Sequence, residues 1–202
     1  MSFEKLIICS PQLGISPQSS SGGEIYDREI LVNLAKSGCK IAVFLPKNKN
    51  YPSNIKNLTI TFAPLKSIFP PYLFNLFVLP YLFKTYKQLP FQVLRIHSPY
   101  FVGIAAIIFK FVHKDVKLAA SYLHLENNNL FFDLINRLII KKFDLITTIS
   151  KSTKQELIKR YGINGQKIII AHPGIDKGLK PQKKDLKLVN KLHLQNKFVI
   201  LY

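Results

Sequence analysis

Apolar residues in this chain occur in short runs that alternate with longer amphipathic segments. The run Leu145 to Ile149 is rich in β-branched residues, and Ile168 to Ala171 is a second run without polar alternation. Between them, Ser150 and Ser152 can each cap the start of a helix. Apolar residues then recur at helical spacing up to Tyr161, and Gly162 follows where a left-handed helix terminus costs least. A strand, a helix and another strand form a βαβ unit, and the lack of alternation indicates a parallel sheet covered on both faces.

The N-terminal part repeats this order. A buried strand is predicted at Leu6 to Cys9, and a polar loop runs from Ser10 to Ser21. A helix is predicted to begin at Gly22-Gly23 and to end at Gly38. The residues of this helix that we expect to face inward are Leu31, Leu34 and Ala35.

The remaining elements follow the same alternation. Strands are predicted at Ile41 to Leu45, Leu58 to Ala63, Val93 to Ile96 and Leu118 to Leu123, and helices at Tyr72 to Tyr86, Tyr100 to Val112 and Leu130 to Lys141. This order predicts a doubly wound, Rossmann-like parallel α/β sheet. In such sheets the ligand lies beyond the carboxyl ends of the strands. The loops expected there are Ser10 to Gly23, His97 to Tyr100, His124 to Asn129 and the one at Ser150.

The length bounds the number of domains. A chain of 202 residues with 48% hydrophobic content can build one full domain with little left over. We expect residues 1–176 to form that domain and the lysine-rich residues 177–197 to be an interdomain linker. Residues 198–202 are all apolar or aromatic and are predicted as the first strand of a second domain that is cut short.

The charge points to anionic partners. Lys and Arg number 29 against 11 Asp and Glu, which gives a formal net charge of +18. The lysines are spread along the chain without an arginine-rich run, which argues against nucleic acid. An anionic membrane surface is a candidate partner for the segment Phe69 to Tyr86, because apolar insertion and lysine attraction add. The alternative is that its apolar residues pack inside; these are Phe74, Phe77, Val78 and Leu82.

Several features indicate a cytoplasmic setting. Cys9 and Cys39 have neither metal-ligand spacing nor the pattern of a disulfide framework. The first nine residues are too short for a signal-peptide core. The run Ser67 to Phe83 contains three prolines and is short for a bilayer-spanning helix. We therefore expect a cytoplasmic protein, with a peripheral position at the inner face of the membrane as a further expectation.

The pair Gly22-Gly23 is a candidate phosphate site. Two glycines that open a helix allow a phosphate to approach exposed backbone amides at the positive end of the helix. An ordinary capping box formed by Ser21 and Glu24 is the equally weighted alternative. The chain has no G-x-G-x-x-G fingerprint, which disfavours a nucleotide-dependent oxidoreductase, and it has no P-loop.

Two histidines are placed to reach a ligand. His124 and His97 each follow a predicted strand at its carboxyl end, where an imidazole can donate a hydrogen bond. No group of histidines and carboxylates has metal-ligand spacing, and no nucleophile elbow is present. A bound metal is not implied.

Taken together, several segments resemble the N-terminal domain of a GT-B glycosyltransferase, similar to the family 4 retaining enzymes. They are SGGEIYDREILVNLAKSGCKIAVF, RIHSPY, SYLHLE, FDLITTISKSTKQELIKRYG and IIIAHPGID. The resemblance covers about residues 4 to 176. Pro173-Gly174 stands where the family usually has Asn-Gly, which affects only the interdomain hinge.

This resemblance implies a retaining hexosyltransferase in which this chain supplies the acceptor-side domain. Gly22 and Gly23 would meet the diphosphate of a nucleotide-sugar donor, and His124 would be the catalytic residue beside the transferred sugar. The acceptor or sugar side would include His97, Glu126 and Ser150. The acceptor would be a glycan or a lipid-linked glycan, as in polysaccharide biosynthesis, and the reaction would need no cofactor besides the donor substrate.

One alternative stays open at this level. Because a cleft with one wall cannot position donor and acceptor together, a chain of this length could instead be a non-catalytic module that binds an acceptor or a membrane.

Overall fold

The strands of this protein pair in parallel within one sheet. A computed structural model describes residues 6–12, 22–47, 54–64, 71–97, 99–125, 130–174, 180 and 183–199. The strands are Ile7–Pro11 (β1), Lys40–Leu45 (β2), Leu58–Phe62 (β3), Val93–His97 (β4), Lys117–Tyr122 (β5), Leu145–Thr148 (β6) and Ile168–Ile170 (β7). Their order is β3-β2-β1-β4-β5-β6-β7, and Ile8 of β1 is in register with both Ile41 and Val93.

Helices connect most of these strands. They are Gly22–Lys36 (α1), Asn75–Gln88 (α2), Pro99–Val112 (α3), Leu130–Ile139 (α4), Lys151–Tyr161 (α5) and Leu186–Lys191 (α6). Short 3-10 turns lie at Pro71–Phe74, Ile140–Lys142 and Gly165–Lys167. The predicted doubly wound α/β fold is confirmed, and each of the seven strands predicted within residues 1–176 is found with ends shifted by no more than two residues.

Two apolar cores cover the two faces of the sheet. Residues of α2, α3, α4 and α5 pack with alternate residues of the strands, including Cys9, Leu94 and Ile146. Helix α1 packs on the other residues of β1 and β2, which include Ile8 and Val43. Because side chains alternate across a strand, Cys9 and Ile8 fall in different cores.

Helix α1 differs from prediction in one position of its inner face. Leu31 and Ala35 are buried as expected, but Leu34 is only partly buried and Val32 takes its place in the core. Gly38 follows the helix with a φ of 100°, a left-handed conformation that glycine adopts without strain.

Helix α2 uses its apolar side for packing. Phe74, Val78 and Leu82 are fully buried and Phe77 packs partly against the same core, so the packing alternative for this segment is confirmed. Phe69 lies outside the described residues. None of the helices within the described ranges has the length and apolar character needed to cross a membrane.

The chain divides into two compact units, residues 1–172 and residues 173–202. The first contains the sheet. The second contains α6, which Asp185 caps by accepting hydrogen bonds from the backbone N–H groups of Lys187 and Leu188. The strand expected at 198–202 is not formed at Phe198 and Val199, and residues 200–202 lie outside the described part.

Candidate functional site

The site lies where the strand order reverses. From β1 the chain moves outward through β2 and β3 on one side, and from β4 it moves outward through β5 to β7 on the other. In open parallel sheets the crevice beyond the carboxyl ends of such central strands is the usual place for a ligand. Helix α1 begins beside this crevice.

The first turn of α1 packs against the ends of β4 and β5. A Cβ atom built on Gly23 would lie 3.2 Å from Leu123 Cδ1 and 3.9 Å from His97 Nε2. The same construction on Gly22 meets no described atom within 4 Å. Gly23 therefore allows a close approach of the helix to His97, while no described residue lies where a side chain on Gly22 would be.

A buried carboxylate fixes this approach. Asp27, one turn into α1, has no solvent exposure. Its Oδ1 atom forms an ion pair with Arg95 Nη2 and lies 3.3 Å from His97 Nδ1. Burial alone would raise the pKa of Asp27, but the charges of Arg95 and His97 outweigh it and lower the pKa to about 2. The carboxylate is therefore ionised throughout the physiological range.

Two atoms of this cluster keep unused hydrogen-bonding capacity. Asp27 Oδ2 and Arg95 Nη1 are buried and have no hydrogen-bond partner among the described residues. Because buried polar groups are nearly always satisfied, these atoms are candidates for contact with a ligand or a water.

Hydrogen bonds continue from the cluster across the sheet. Arg95 Nη2 donates to Ser121 Oγ at 3.1 Å, and Ser121 Oγ lies 2.9 Å from Thr147 Oγ1. On the other side, Gln12 Nε2 donates to Ser10 Oγ at 2.8 Å, and Ser10 Oγ donates to the Arg95 carbonyl at 3.1 Å. The carboxyl halves of β1, β4, β5 and β6 are thus joined through polar side chains.

Tyr26 connects the first turn of α1 to the far side of the sheet. Its hydroxyl donates to the Ala171 carbonyl, just beyond β7, at 3.1 Å. Burial raises the pKa of the Tyr26 phenol, so the group stays neutral and able to donate at physiological pH.

The structure describes five of the six predicted site residues. Gly22, Gly23 and His97 come together at the start of α1. His124 is exposed and follows Leu123, which contacts Gly23, so it lies on the same side of the molecule as the two glycines. Glu126 lies outside the described residues.

Ser150 already has a structural task. Its Oγ accepts a hydrogen bond from the Thr153 backbone N–H at 3.0 Å and lies 3.0 Å from Thr153 Oγ1, so it caps α5. Nearby, His172 Nδ1 lies 2.9 Å from the Ile149 carbonyl oxygen. Ser150 Oγ already accepts the capping hydrogen bond. A sugar hydroxyl that contacts Ser150 would therefore have to share this oxygen with the Thr153 backbone N–H.

Sequence reasoning missed Asp27 and Arg95. Arg95 is the one charged residue within a strand of otherwise apolar neighbours, and Asp27 lies four residues before the buried Leu31 on the same face of α1. Each of these charged residues stands at a position whose neighbours predict burial, and this could have marked them as functional candidates. Within the described residues, no three His, Cys, Asp or Glu side chains are grouped to hold a metal ion.

Comparisons with known proteins point in one direction. The sequence profile of Glycosyltransferase Family 4 matches residues 20–178. No curated protein matches the sequence.

Solved structures share the fold at low identity. Sucrose-phosphate synthase from Thermosynechococcus elongatus matches 85% of this chain and 49% of its own, with 15% identity and a TM-score of 0.62. A glycosyltransferase from Rickettsia africae matches 94% and 50%, with 17% identity and a TM-score of 0.59. Anabaena HepE, solved with UDP-glucose, matches 95% and 50%, with 13% identity and a TM-score of 0.62. The chain thus spans about half the length of these proteins.

Proposed function

Because this chain belongs to Glycosyltransferase Family 4, we propose that it supplies the acceptor-side domain of an enzyme that transfers a sugar from a nucleotide sugar to a glycan or lipid-linked acceptor. Family and fold support glycosyl transfer in general. The observation that carries the finer proposal is the packing of the glycine start of α1 against His97 and Leu123 at the strand-order reversal.

The start of α1 is suited to hold the donor diphosphate. The first four backbone N–H groups of a helix have no partner within the helix, and the helix dipole makes this end positive. Gly22 and Gly23 carry no side chains of their own, and a Cβ on Gly22 would meet no described atom within 4 Å. Arg95, which is ion-paired with Asp27 one turn into α1, has a further donor in its unpartnered Nη1.

The chemistry requires stabilisation of the leaving group. When the bond between the anomeric carbon and the diphosphate oxygen breaks, positive charge develops on the sugar and negative charge on the diphosphate. Fixed amides at Gly22 and Gly23 would stabilise that negative charge without reorganising. His124 would donate a hydrogen bond to the sugar and orient it. By the family resemblance we extend the proposal to a hexose donor and retention of anomeric configuration.

The other site residues that the resemblance implies belong to the same proposal. His97, Glu126 and Ser150 would contact the acceptor or the sugar, and the reaction would need no cofactor besides the donor substrate. HepE, which shares the fold, was solved with UDP-glucose, and this supports a nucleotide sugar as partner.

Titration of the 202-residue chain with UDP-glucose tests the diphosphate site. We expect amide NMR shifts of Gly22 and Gly23 to change with ligand concentration, and Gly23→Val to lose the effect because its side chain would meet Leu123 and approach His97. Gly174→Val is the matched control, because no described atom lies within 4 Å of its Cβ position. Unchanged Gly22 and Gly23 shifts at millimolar UDP-glucose would contradict the site.

Transfer itself is tested with the product of the complete gene. In assays of sugar release from UDP-, GDP- and ADP-sugars, His124→Ala should lower turnover at least about a hundredfold and leave folding intact, as expected for loss of a group that acts in the reaction. Binding of a glycan acceptor without sugar transfer from any donor would instead favour the non-catalytic module.

A further inference from the structure

Helices α3 and α4 are apolar on two opposite faces. Their inner residues fill the core under the sheet; these are Val102, Ala105, Ala106, Phe109, Ile135 and Ile139. Their outer faces nevertheless carry a second set of large apolar side chains in contact with solvent. The inner faces of α3 and α4 pack against the sheet. This packing does not explain why the outer faces are also apolar.

The outer residues of these two neighbouring helices are here called the outer strip. It consists of Ile104, Ile108, Phe111, Leu130, Leu134 and Leu138, which recur every three or four residues on each helix. Phe111 is 80% exposed and Leu130 is 87% exposed. The two helices adjoin closely, since a Cβ on Gly103 of α3 would clash with Ile139 Cδ1 of α4.

A strip of this kind marks an interaction surface. Isolated apolar residues on a surface are ordinary, but contiguous large patches are rare on monomeric proteins and usually contact a partner. A helix that is apolar on both faces is expected to be covered on both.

Charges around the outer strip identify the partner. Residues 71–142, which include both helices, contain only three Asp or Glu but nine Lys or Arg, of which Arg95 is buried in the candidate site. One of these acidic residues, Asp133, is already ion-paired with Arg137 and Arg160. The lysines that are exposed on α2, after α3 and after α4 are Lys84, Lys87, Lys114, Lys141 and Lys142. Exposed apolar residues with exposed lysines on the neighbouring helix and at the ends of the same two helices match a surface that offers acyl chains beneath anionic headgroups.

We propose that the outer strip docks this protein on an anionic lipid bilayer, with α3 and α4 lying along the membrane surface. The strip residues enter the headgroup region and the lysines contact anionic headgroups. This position differs from Phe69 to Tyr86, where the apolar residues of α2 pack inside. The proposal stands apart from the catalytic assignment, because none of the strip residues belongs to the candidate site.

A second copy of the chain fits the surface less well. Two molecules that each carry a formal charge of +18 repel each other, whereas the same charge draws the chain to an anionic bilayer. Added salt should weaken the attraction to lipid.

Vesicle flotation of the 202-residue chain tests the proposal. We expect binding to vesicles of equal parts phosphatidylglycerol and phosphatidylcholine, and much weaker binding to phosphatidylcholine alone. Leu134→Ser with Leu138→Ser should reduce binding about tenfold or more, because two large apolar contacts are lost. Lys141→Gln with Lys142→Gln should also reduce it about tenfold or more, since each basic residue near the surface contributes to attraction.

Matched controls lie in the second unit. Leu186 and Leu188 are 69% and 51% exposed, close to the 67% and 56% of Leu138 and Leu134. Leu186→Ser with Leu188→Ser, and Lys183→Gln with Lys184→Gln, should leave binding within about twofold of wild type. If circular dichroism shows that the Leu134 and Leu138 variant does not fold, Phe111→Ser carries the test.

The possible results distinguish a lipid bilayer from a second copy of the chain as the partner of the outer strip. The proposal would be overturned if the wild type does not bind anionic vesicles or binds neutral vesicles equally well. It would also be overturned if the strip variants and the control variants lose binding equally. A concentration-dependent dimer in sedimentation that the strip variant abolishes, without lipid binding, would assign the strip to self-association instead.

Discussion

At the scale of single residues, Asp27 decides how the start of α1 is held. Its carboxylate lies between Arg95 and His97 with no solvent exposure. Removing one partner of a buried ion pair leaves an uncompensated charge, which is more damaging than replacing the whole pair. The position of Gly23 beside His97 therefore depends on a charged group that takes no part in the proposed bond breaking.

Acid should weaken the protein through Asp27. The pKa of this carboxyl is lowered from 3.8 to about 2 in the folded chain. Its contribution is present above the unfolded pKa and is lost as pH falls through about 2, an effect of roughly 2 kcal/mol. We expect the difference in unfolding free energy between wild type and Asp27→Asn, measured by urea denaturation, to shrink by about that amount between about pH 5 and about pH 2.

An exposed carboxylate on the same helix supplies the control. Glu29→Gln should follow the wild type across the same pH range, because its side chain is 57% exposed. A constant difference between wild type and Asp27→Asn would show that Asp27 does not titrate as the ion pair requires.

The sequence predicts the positions of some residues around the start of α1 but not of others. Gly22, Gly23, His97 and His124 follow from the positions of apolar runs, since a strand end can be located by local pattern alone. The pairing of Asp27 with Arg95 joins residues far apart in the chain, and it depends on which face of each element meets the other. A single sequence marks each charge as unusual but does not identify its partner.

At the scale of elements, α5 shows how a cap limits a candidate ligand. The sequence allows both Ser150 and Ser152 to cap the helix, and the structure assigns the cap to Ser150. Gly162 ends the helix with a φ of 62°, as the pattern predicts. Ser152 lies exposed in the first turn.

Substitution of the two serines should separate their roles. Ser150→Ala should lower the free energy of unfolding by about 1 kcal/mol, because the Thr153 backbone N–H loses its acceptor. Ser152→Ala should change it by less than about 0.5 kcal/mol. Equal effects in thermal or urea denaturation would contradict the assigned cap.

The local hydrophobic pattern predicts where helices and strands lie better than it predicts which neighbours they pair or pack with. The strands of the sheet were predicted because apolar β-branched runs are unambiguous when helices separate them. Phe198 and Val199 are not in a strand, because a strand also needs a neighbour with which to pair, and the assignment of residues 198–202 to the start of a further domain stays a prediction. The helix predicted from Tyr72 begins as a 3-10 turn at Pro71–Phe74, in which Phe74 is fully buried.

At the scale of the whole molecule, the sheet separates two cores that each contain one cysteine. Cys9 packs with α2 and α3, and Cys39 packs with α1, and both are fully buried. Burial raises the pKa of the Cys9 thiol, which further suppresses its reactivity. The two thiols therefore report separately on the two faces.

Thiol labelling should show that the faces unfold together. Without denaturant we expect each thiol to react about a thousandfold more slowly than in unfolded chain, since access requires opening of its core. As urea rises, Cys9 and Cys39 should become reactive over the same range. Single Cys9→Ser and Cys39→Ser variants assign the signals, and earlier labelling of Cys39 would show that α1 opens on its own.

The contacts of Asp27 in α1 with Arg95 and His97 in β4 have a consequence for evolution. Since Arg95 and His97 hold the helix from the side, its location does not depend on how many residues lead into it from β1. Related sequences should accordingly accumulate insertions and deletions in residues 13–21 while the two glycines keep their place. Residues 13–21 could then diversify without displacing the proposed diphosphate site at the start of α1.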